Sequence, residues 1–253
     1  MKLLNLCFAF CFSVLVSCQS GSSRQVIDMN TGWAFFRGEV DNGAQVDLDV
    51  TGWMPICLPH IMQLETKHCG GNSIYDGVGW YRRYFKMPAN ARDKRVVVDF
   101  EGVMTNCEVY LNGEKITEHY GGYMGFVADL TEHIDWKGTN VLIVRVSAQP
   151  DALTPPGKPQ ERMDFYYYSG IYRDVRMVIT DKIYITDPLQ EDMVAGGGQF
   201  ITFPQVSAER ATVHVATHVR NLMEEDAELR LLSQLCDSVG RVVAEEMTPV
   251  TVE

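Results

Sequence analysis

The sequence is short of positive charge. It carries 22 Lys and Arg against 33 Asp and Glu, a formal net charge of −11. Nucleic-acid binding and general adhesion to anionic lipid need a basic footprint, so both are excluded as main activities. No G-x-S-x-G elbow marks a serine nucleophile, and Ser169-Gly170 has no base near it in sequence. No phosphate loop is present. Gly196-Gly197-Gly198 lacks a following Lys and helix and reads as a flexible connection. No amphipathic helix is evident between Val26 and Thr180. The seven cysteines fit no zinc spacing. The histidines are scattered. His214 and His218 lie four apart in an alternating Val213–Val219 segment, so they belong to a strand. Four strand residues span about 13 Å, too far to share one ion. His60, His68, His119 and His133 read as turn or surface residues. No motif singles out a carboxylate pair of the kind glycoside cleavage requires, so no catalytic residue and no metal ligand is assigned.

What is present begins at the N-terminus. Lys2 precedes an apolar run from Leu3 to Val16 interrupted by one Asn and one Ser. A bilayer span needs about 20 residues, so this reads as a signal peptide. It ends at Leu15-Val16-Ser17-Cys18, similar to a bacterial lipobox, and Gln19–Ser23 reads as a polar tether. The expectation is cleavage after residue 17, lipidation of Cys18, a tether over residues 18–25 and export to the cell envelope, with the membrane touched only through the anchor. Losing Lys2 with residues 1–17 takes the charge from −11 to −12. Cys57, Cys69, Cys107 and Cys236 then remain. Cys107, in an apolar strand pattern, is expected buried and free.

The body reads as strands. Arg95–Glu101, Asn106–Asn112, Asn140–Ser147 and Val175–Ile179 are short, β-branched or aromatic, and bounded by turn residues. Asn112-Gly113 predicts a tight hairpin with Glu114–Thr117 as the returning strand. Ala152–Phe165, with Pro155-Pro156-Gly157-Lys158-Pro159, predicts a long loop. Past Lys182, strands are expected at Lys182–Thr186, Thr212–Arg220 and Arg241–Glu245. Glu224–Leu235 fits a helix face or a strand pair, and its flanking turns favour the strands. The fold class is therefore all-β: a sandwich or jelly roll over residues 26–181, then residues 182–253. That second unit is shorter than the ~100 residues of an immunoglobulin-like sandwich and reads as part of one. One segment has chemical promise. Asp164 stands beside Phe165, Tyr166, Tyr167 and Tyr168. A carboxylate accepts from sugar hydroxyls and aromatic faces stack on pyranose C–H groups. A run of strand-core tyrosines next to a surface acid explains the same residues.

Ordered motifs then carry a resemblance. They run from Leu58-Pro59-His60 through Gly79-Trp80-Tyr81-Arg82-Arg83-Tyr84-Phe85 and Pro88 to Phe100-Glu101-Gly102-Val103. Val109-Tyr110-Leu111-Asn112-Gly113, Gly121-Gly122-Tyr123, Phe126, Asp129-Leu130-Thr131 and Gly170-Ile171-Tyr172-Arg173-Asp174-Val175 follow. In this order they resemble the sugar-binding domain of glycoside hydrolase family 2, which includes β-galactosidases, β-glucuronidases and β-mannosidases. The resemblance implies a jelly roll, an immunoglobulin-like domain and then a catalytic barrel. The barrel's two Glu residues do the chemistry and lie outside this sequence. It also implies that an Asp six residues before the closing Gly-Ile contacts substrate hydroxyls. Asp164 holds that place before Gly170-Ile171. Asn72 matches a sugar-contacting loop only poorly. Arg173 and Asp174 read as loop ties, and Trp80 and Tyr81 as packing. By the resemblance the partner is a carbohydrate substrate. No cofactor belongs to this chain, although sodium or magnesium accompanies some full-length members. A homo-oligomer is compatible with the sequence. A stand-alone carbohydrate-binding or scaffold lipoprotein without activity is the alternative reading.

Overall fold

The computed structural model describes residues 24–63, 75–191, 193–194 and 196–253. The expectations for Cys18, the signal peptide, Cys69, His68 and Asn72 lie outside the described residues. No described helix is long and apolar enough to cross a membrane.

Among the described residues the first body holds twelve strands. They are β1 (Gln25–Asp28), β2 (Trp33–Arg37), β3 (Met54–Ile56), β4 (Val78–Phe85), β5 (Arg95–Phe100) and β6 (Val103–Met104), then β7 (Asn106–Leu111), β8 (Glu114–Tyr120), β9 (Phe126–Asp129), β10 (Asn140–Ser147), β11 (Gly170–Ile171) and β12 (Val175–Thr180). A four-stranded sheet in the order β1-β12-β5-β9 faces a six-stranded sheet in the order β3-β2-β4-β10-β7-β8. Every pairing in the two sheets is antiparallel. The all-β sandwich expected from the strand pattern is what the chain forms.

Period-two alternation supplies the core between the sheets. Val96, Val98 and Phe100 of β5 and Val175, Met177 and Ile179 of β12 point inward from one sheet. Leu142, Val144 and Val146 of β10, Cys107, Val109 and Leu111 of β7, and Trp33, Phe35 and Tyr81 meet them from the other. Each such burial contributes about 1.5–3 kcal/mol for a large apolar side chain. Cys107 is buried and free, and burial pushes its thiol up. β10 is apolar almost without break because it is covered on both faces. Val141 and Ile143, on its outer face, form a second small cluster with Val78 and Trp80 under the residues 38–53 strap. Arg82, fully buried, holds that strap. Its guanidinium donates to the carbonyls of Gly43 (3.0 Å), Gln45 (2.8 Å) and Val46 (3.1 Å).

The hairpin turn falls where Asn112-Gly113 put it, with φ of 52° and 89°. The returning strand extends three residues beyond the expected Thr117, through Tyr120.

The chain then continues through β13 (Ile183–Ile185), the short helix α1 (Pro188–Glu191), β14 (Gln199–Val206), β15 (Ala211–Thr217), β16 (Val219–Asn221), β17 (Ala227–Cys236) and β18 (Val242–Val252). These pair only as ribbons: β13 with β16, β14 with β15, β17 with β18. The ambiguous 224–235 segment is a bend followed by the single strand β17 and not the strand pair expected; Leu229 and Leu231 alternate with exposed neighbours, and the partner is β18. Two more readings change here. The triple glycine is a packed turn: Gly197 and Gly198 take φ of 74° and 59°, and the Gly198 amide donates to Thr186 Oγ1 at 2.8 Å. β18 also runs well past the expected Glu245, since its partner β17 is ten residues long and pairs along its whole length. Arg95, at the start of β5, touches this region. Its guanidinium lies 4.3 Å from the Tyr184 ring centroid, is 3.2 Å from Asp129, and meets Gln190 of α1.

Candidate functional site

The site lies at the end of the sandwich where β10 leaves and β11 returns. Between them residues 148–169 form the long loop that the prolines foretold. Its first turn is set by Asp151, whose carboxylate accepts the Leu153 amide (2.9 Å) and the Thr154 hydroxyl (2.6 Å). The Thr154 hydroxyl, with the Leu153 amide, holds the Asp151 carboxyl below the usual range. Gly157, at φ 73°, closes the next turn with its amide on the Thr154 carbonyl, 2.8 Å. A 3-10 turn at Gln160–Arg162 follows, and Gln160 Nε2 donates back to the Tyr167 carbonyl at 2.9 Å. This side chain ties the middle of the loop to its end.

The loop's end is fixed by backbone. Gly170 and Ile171 pair with Met104 and Val103 of β6. On the other side the His60 amide donates to the Ile171 carbonyl (2.8 Å) and the Met62 amide to the Ser169 carbonyl (2.7 Å). Gly170 takes φ +133°. A Cβ there would lie 2.6 Å from the His60 carbonyl oxygen and 2.7 Å from the Tyr81 hydroxyl, so the close approach requires glycine. Beneath it Tyr81 and His60 share a 3.0 Å hydrogen bond, and the His60 ring packs on Phe35 at 4.6 Å between centroids. Burial pushes the Tyr81 phenol up and the His60 imidazole down, so both are neutral near pH 7.

On this frame Asp164 is exposed, and among the described residues no side chain bonds its carboxylate. Phe165 and Tyr168 are 50% and 40% exposed, whereas Tyr167 is 9% exposed, and burial pushes its phenol up. The aromatic run is therefore loop and not strand: Tyr167 anchors, and Phe165 and Tyr168 present their rings. Tyr166, Tyr168 and Ser169 line a shallow cleft with Met62, Gln63 and Tyr75. Tyr75 is fastened by its hydroxyl to the Val78 carbonyl at 2.6 Å and by Arg37 over its ring at 5.2 Å. The remaining motif residues frame the site. Tyr172 donates to the Gly122 carbonyl at 2.5 Å, Arg173 lies over the Tyr172 ring, and Asp174 pairs with Arg176 at 3.3 Å.

Sequence reasoning missed the underside of this loop. His60 is a half-buried partner of Tyr81, and His119 stacks on Phe126 at 4.4 Å. Of the turn or surface residues expected, His119 is neither, lying half-buried within β8, and His60 is a loop residue that is half-buried. The sequence offered a signal for His119, whose alternation with Glu118 and Tyr120 puts it on the inward face of β8. His133 is a turn residue paired with Glu114 at 3.0 Å, and His218 bonds Thr186 at 2.9 Å while His214 lies across from Thr202. Among the described residues no group of three or more His, Cys, Asp or Glu could hold a metal ion. Asp164 could give a sodium or magnesium ion one carboxylate, and every other ligand would have to come from elsewhere.

These features define a β-sandwich module with a strapped, carboxylate-bearing aromatic loop. Residues 68–181 match the family described as glycosyl hydrolases family 2, sugar binding domain. The chain carries the sugar-binding domain of glycosyl hydrolase family 2. Among curated proteins it is similar to a β-galactosidase of Bacteroides ovatus, 31% identical over 241 residues, which cover 91% of this chain and 26% of the relative. A β-glucuronidase of Formosa agariphila is 26% identical over 89% of this chain and 24% of its own length. Among solved structures, β-glucuronidase 2 of Bacteroides uniformis, covalently bound to cyclophellitol-6-carboxylate aziridine, superposes with a TM-score of 0.80. It is 27% identical over 91% of this chain and 26% of that one. The chain thus spans about a quarter of the length of the curated relatives it matches.

Proposed function

We propose that this chain is the non-catalytic front end of an exported glycoside hydrolase that cleaves O-glycosyl bonds, of the β-galactosidase and β-glucuronidase kind. In this reading Asp164 contacts substrate hydroxyls, and the catalytic carboxylates belong to the part of the relatives' length that this chain does not span. The observation that carries it is the mounting of Asp164. A loop tied at both ends and across its middle holds an exposed, unpaired carboxylate beside two half-exposed aromatic rings. A rigidly held carboxylate costs little further ordering when a sugar arrives, so its hydrogen bonds serve positioning. The names of the relatives support the glycosidase class, and they divide between galactoside and glucuronide enzymes. The apolar run and Cys18 support export and a lipid anchor at the bacterial envelope.

The test is a panel of aryl β-galactoside, β-glucuronide and β-mannoside given to the 253-residue chain and to the longer protein that this reading expects its gene to encode. The reading expects no turnover by the chain and hydrolysis of at least one glycoside by the longer protein. Turnover by the purified chain, or a longer protein inert on every glycoside, contradicts it. Metabolic labelling with a fatty acid, lost in Cys18→Ser, tests the anchor.

A further inference from the structure

A second surface on the sandwich has the chemistry of a carbohydrate site and is not the loop that carries Asp164. It lies on the outer face of the six-stranded sheet. The 38–53 strap covers that face over Trp80, Val141 and Ile143 and leaves the rows beside them open. Strand register sets these rows. Tyr120, Asn106 and Ser147 stand opposite one another on β8, β7 and β10, and the next outward row is Glu118, Glu108 and Arg145. With strands about 4.8 Å apart and a rise of about 3.3 Å per residue, the two rows cover roughly 10 by 7 Å. An open groove runs over Asn106, Glu108, Tyr120, Arg145 and Ser147.

Its composition points to an uncharged polar ligand. Tyr120 is 61% exposed, in a position where a packed core gains nothing from it. Around the ring stand an amide, a hydroxyl, a carboxylate and a guanidinium, which together donate and accept. The charges are already matched within the protein. Glu108 accepts from Lys115 at 2.7 Å and lies 3.6 Å from Arg145, Glu118 accepts from Lys115 at 2.8 Å, and Arg145 also pairs with Glu39. Three carboxylates thus face two cations, one net negative charge, which disfavours uronates, sulfates and phosphates. An ion-pair lattice explains the charged residues. The Tyr120 hydroxyl joins it by bonding Glu118, and the half-exposed Ser147 accepts the Gln149 amide at 3.3 Å, but the lattice leaves the face of the Tyr120 ring open to solvent. The groove also adjoins the first site's loop, since the Gly121 amide donates to Asn106 Oδ1 at 3.4 Å and Asp151 bonds the same side chain.

We infer that the outer sheet face, at Tyr120, Asn106, Ser147, Glu108 and Arg145, is a second carbohydrate-binding site that takes units of a neutral glycan chain. The Tyr120 ring stacks on the C–H face of a pyranose, and the side chains around it bond its hydroxyls. The inference stands apart from the role of Asp164, and the two can fail separately.

The test is titration calorimetry of the 253-residue chain with β-1,4-linked hexasaccharides of glucose, mannose, xylose and galactose, with hexagalacturonate as the anionic control. At least one neutral hexasaccharide is expected to bind. Tyr120→Ala should weaken it about tenfold or more, Tyr120→Phe should restore it, and Ser147→Tyr, which fills the groove, should abolish it. Asp164→Ala should leave it unchanged. Thermal midpoints of the variants separate loss of the site from loss of the fold, and if Tyr120→Ala does not fold, Ser147→Tyr carries the decision. The inference is overturned if no neutral hexasaccharide binds, if hexagalacturonate binds instead, or if binding survives Ser147→Tyr. It is also overturned if Asp164→Ala removes binding while Tyr120→Ala does not, because the sugar then sits at the loop.

Discussion

Replacing Gly170 by alanine tests the rigidity on which the candidate site depends. Gly170 has φ +133°, and an added Cβ would lie 2.6 Å from the His60 carbonyl oxygen, 2.7 Å from the Tyr81 hydroxyl and 3.1 Å from Ile61 Cα. Two costs follow. The backbone conformation disfavours any L side chain by about 1–3 kcal/mol. The contacts then require the 58–62 segment to move away, which puts the two hydrogen bonds to Ile171 and Ser169 at risk, each worth about 0.5–1.5 kcal/mol. The sum is about 2–6 kcal/mol, a fall in thermal midpoint on the order of 10 °C for a protein of this size. Gly32→Ala is the control. Its φ is +79°, but a Cβ there meets nothing within 4 Å, so it should cost only about 1 kcal/mol. Calorimetry or circular dichroism melts of the two variants give the difference directly. A Gly170→Ala protein that melts with Gly32→Ala would refute the claim that the loop's end is sterically locked.

Two further outcomes follow from buried polar groups. Arg82→Met removes the three bonds to the carbonyls of Gly43, Gln45 and Val46 and should cost about 3 kcal/mol. Limited proteolysis should then cut within residues 38–53 before the core strands, whereas an unchanged digest means that the apolar cluster alone holds the strap. Stability should also fall in mild acid through His60 and His119, both lowered chiefly by burial. An unfolded histidine titrates near 6.5, so below that pH the unfolded chain binds more protons than the folded one and stability rises with pH. The loss of urea midpoint between pH 7.5 and 5.5 should be smaller in His60→Gln/His119→Gln than in the parent, and equal losses would exclude these rings as its source.

The strands were legible because burial imposes period two. Asn140–Ser147 reads as a strand in sequence and is one at the same boundaries. Asn112-Gly113 likewise states its own turn, since few other pairs accept two positive φ angles. The long loop was legible from its prolines; Asp164 was singled out by the resemblance, and the structure places it exposed on that loop. Legibility failed where a residue's surroundings come from distant parts of the chain. His60 sits between Phe35 and Tyr81, both remote in sequence, so a histidine after Leu58-Pro59 looks like a turn residue. The Tyr166–Tyr168 run could not be apportioned either, because only the bond from Gln160 to the Tyr167 carbonyl and the packing of that ring decide which tyrosine is anchor and which is surface. The triple glycine was misread for the same reason: its partners Thr186 and His218 lie outside its own segment.

The most direct test of the account is the kinetics of Asp164→Ala on an aryl glycoside, measured in the longer glycoside hydrolase of which this chain is proposed to be the front end. Asp164 is exposed and no described side chain bonds it, so its removal should leave the stability within about 0.5 kcal/mol of the parent. Loss of one charged hydrogen bond to a sugar hydroxyl, at about 1.5–3 kcal/mol, should lower kcat/KM by roughly 10- to 200-fold, and loss of two by more. An unchanged kcat/KM on a substrate that the parent hydrolyses would contradict the assignment of Asp164 to the substrate.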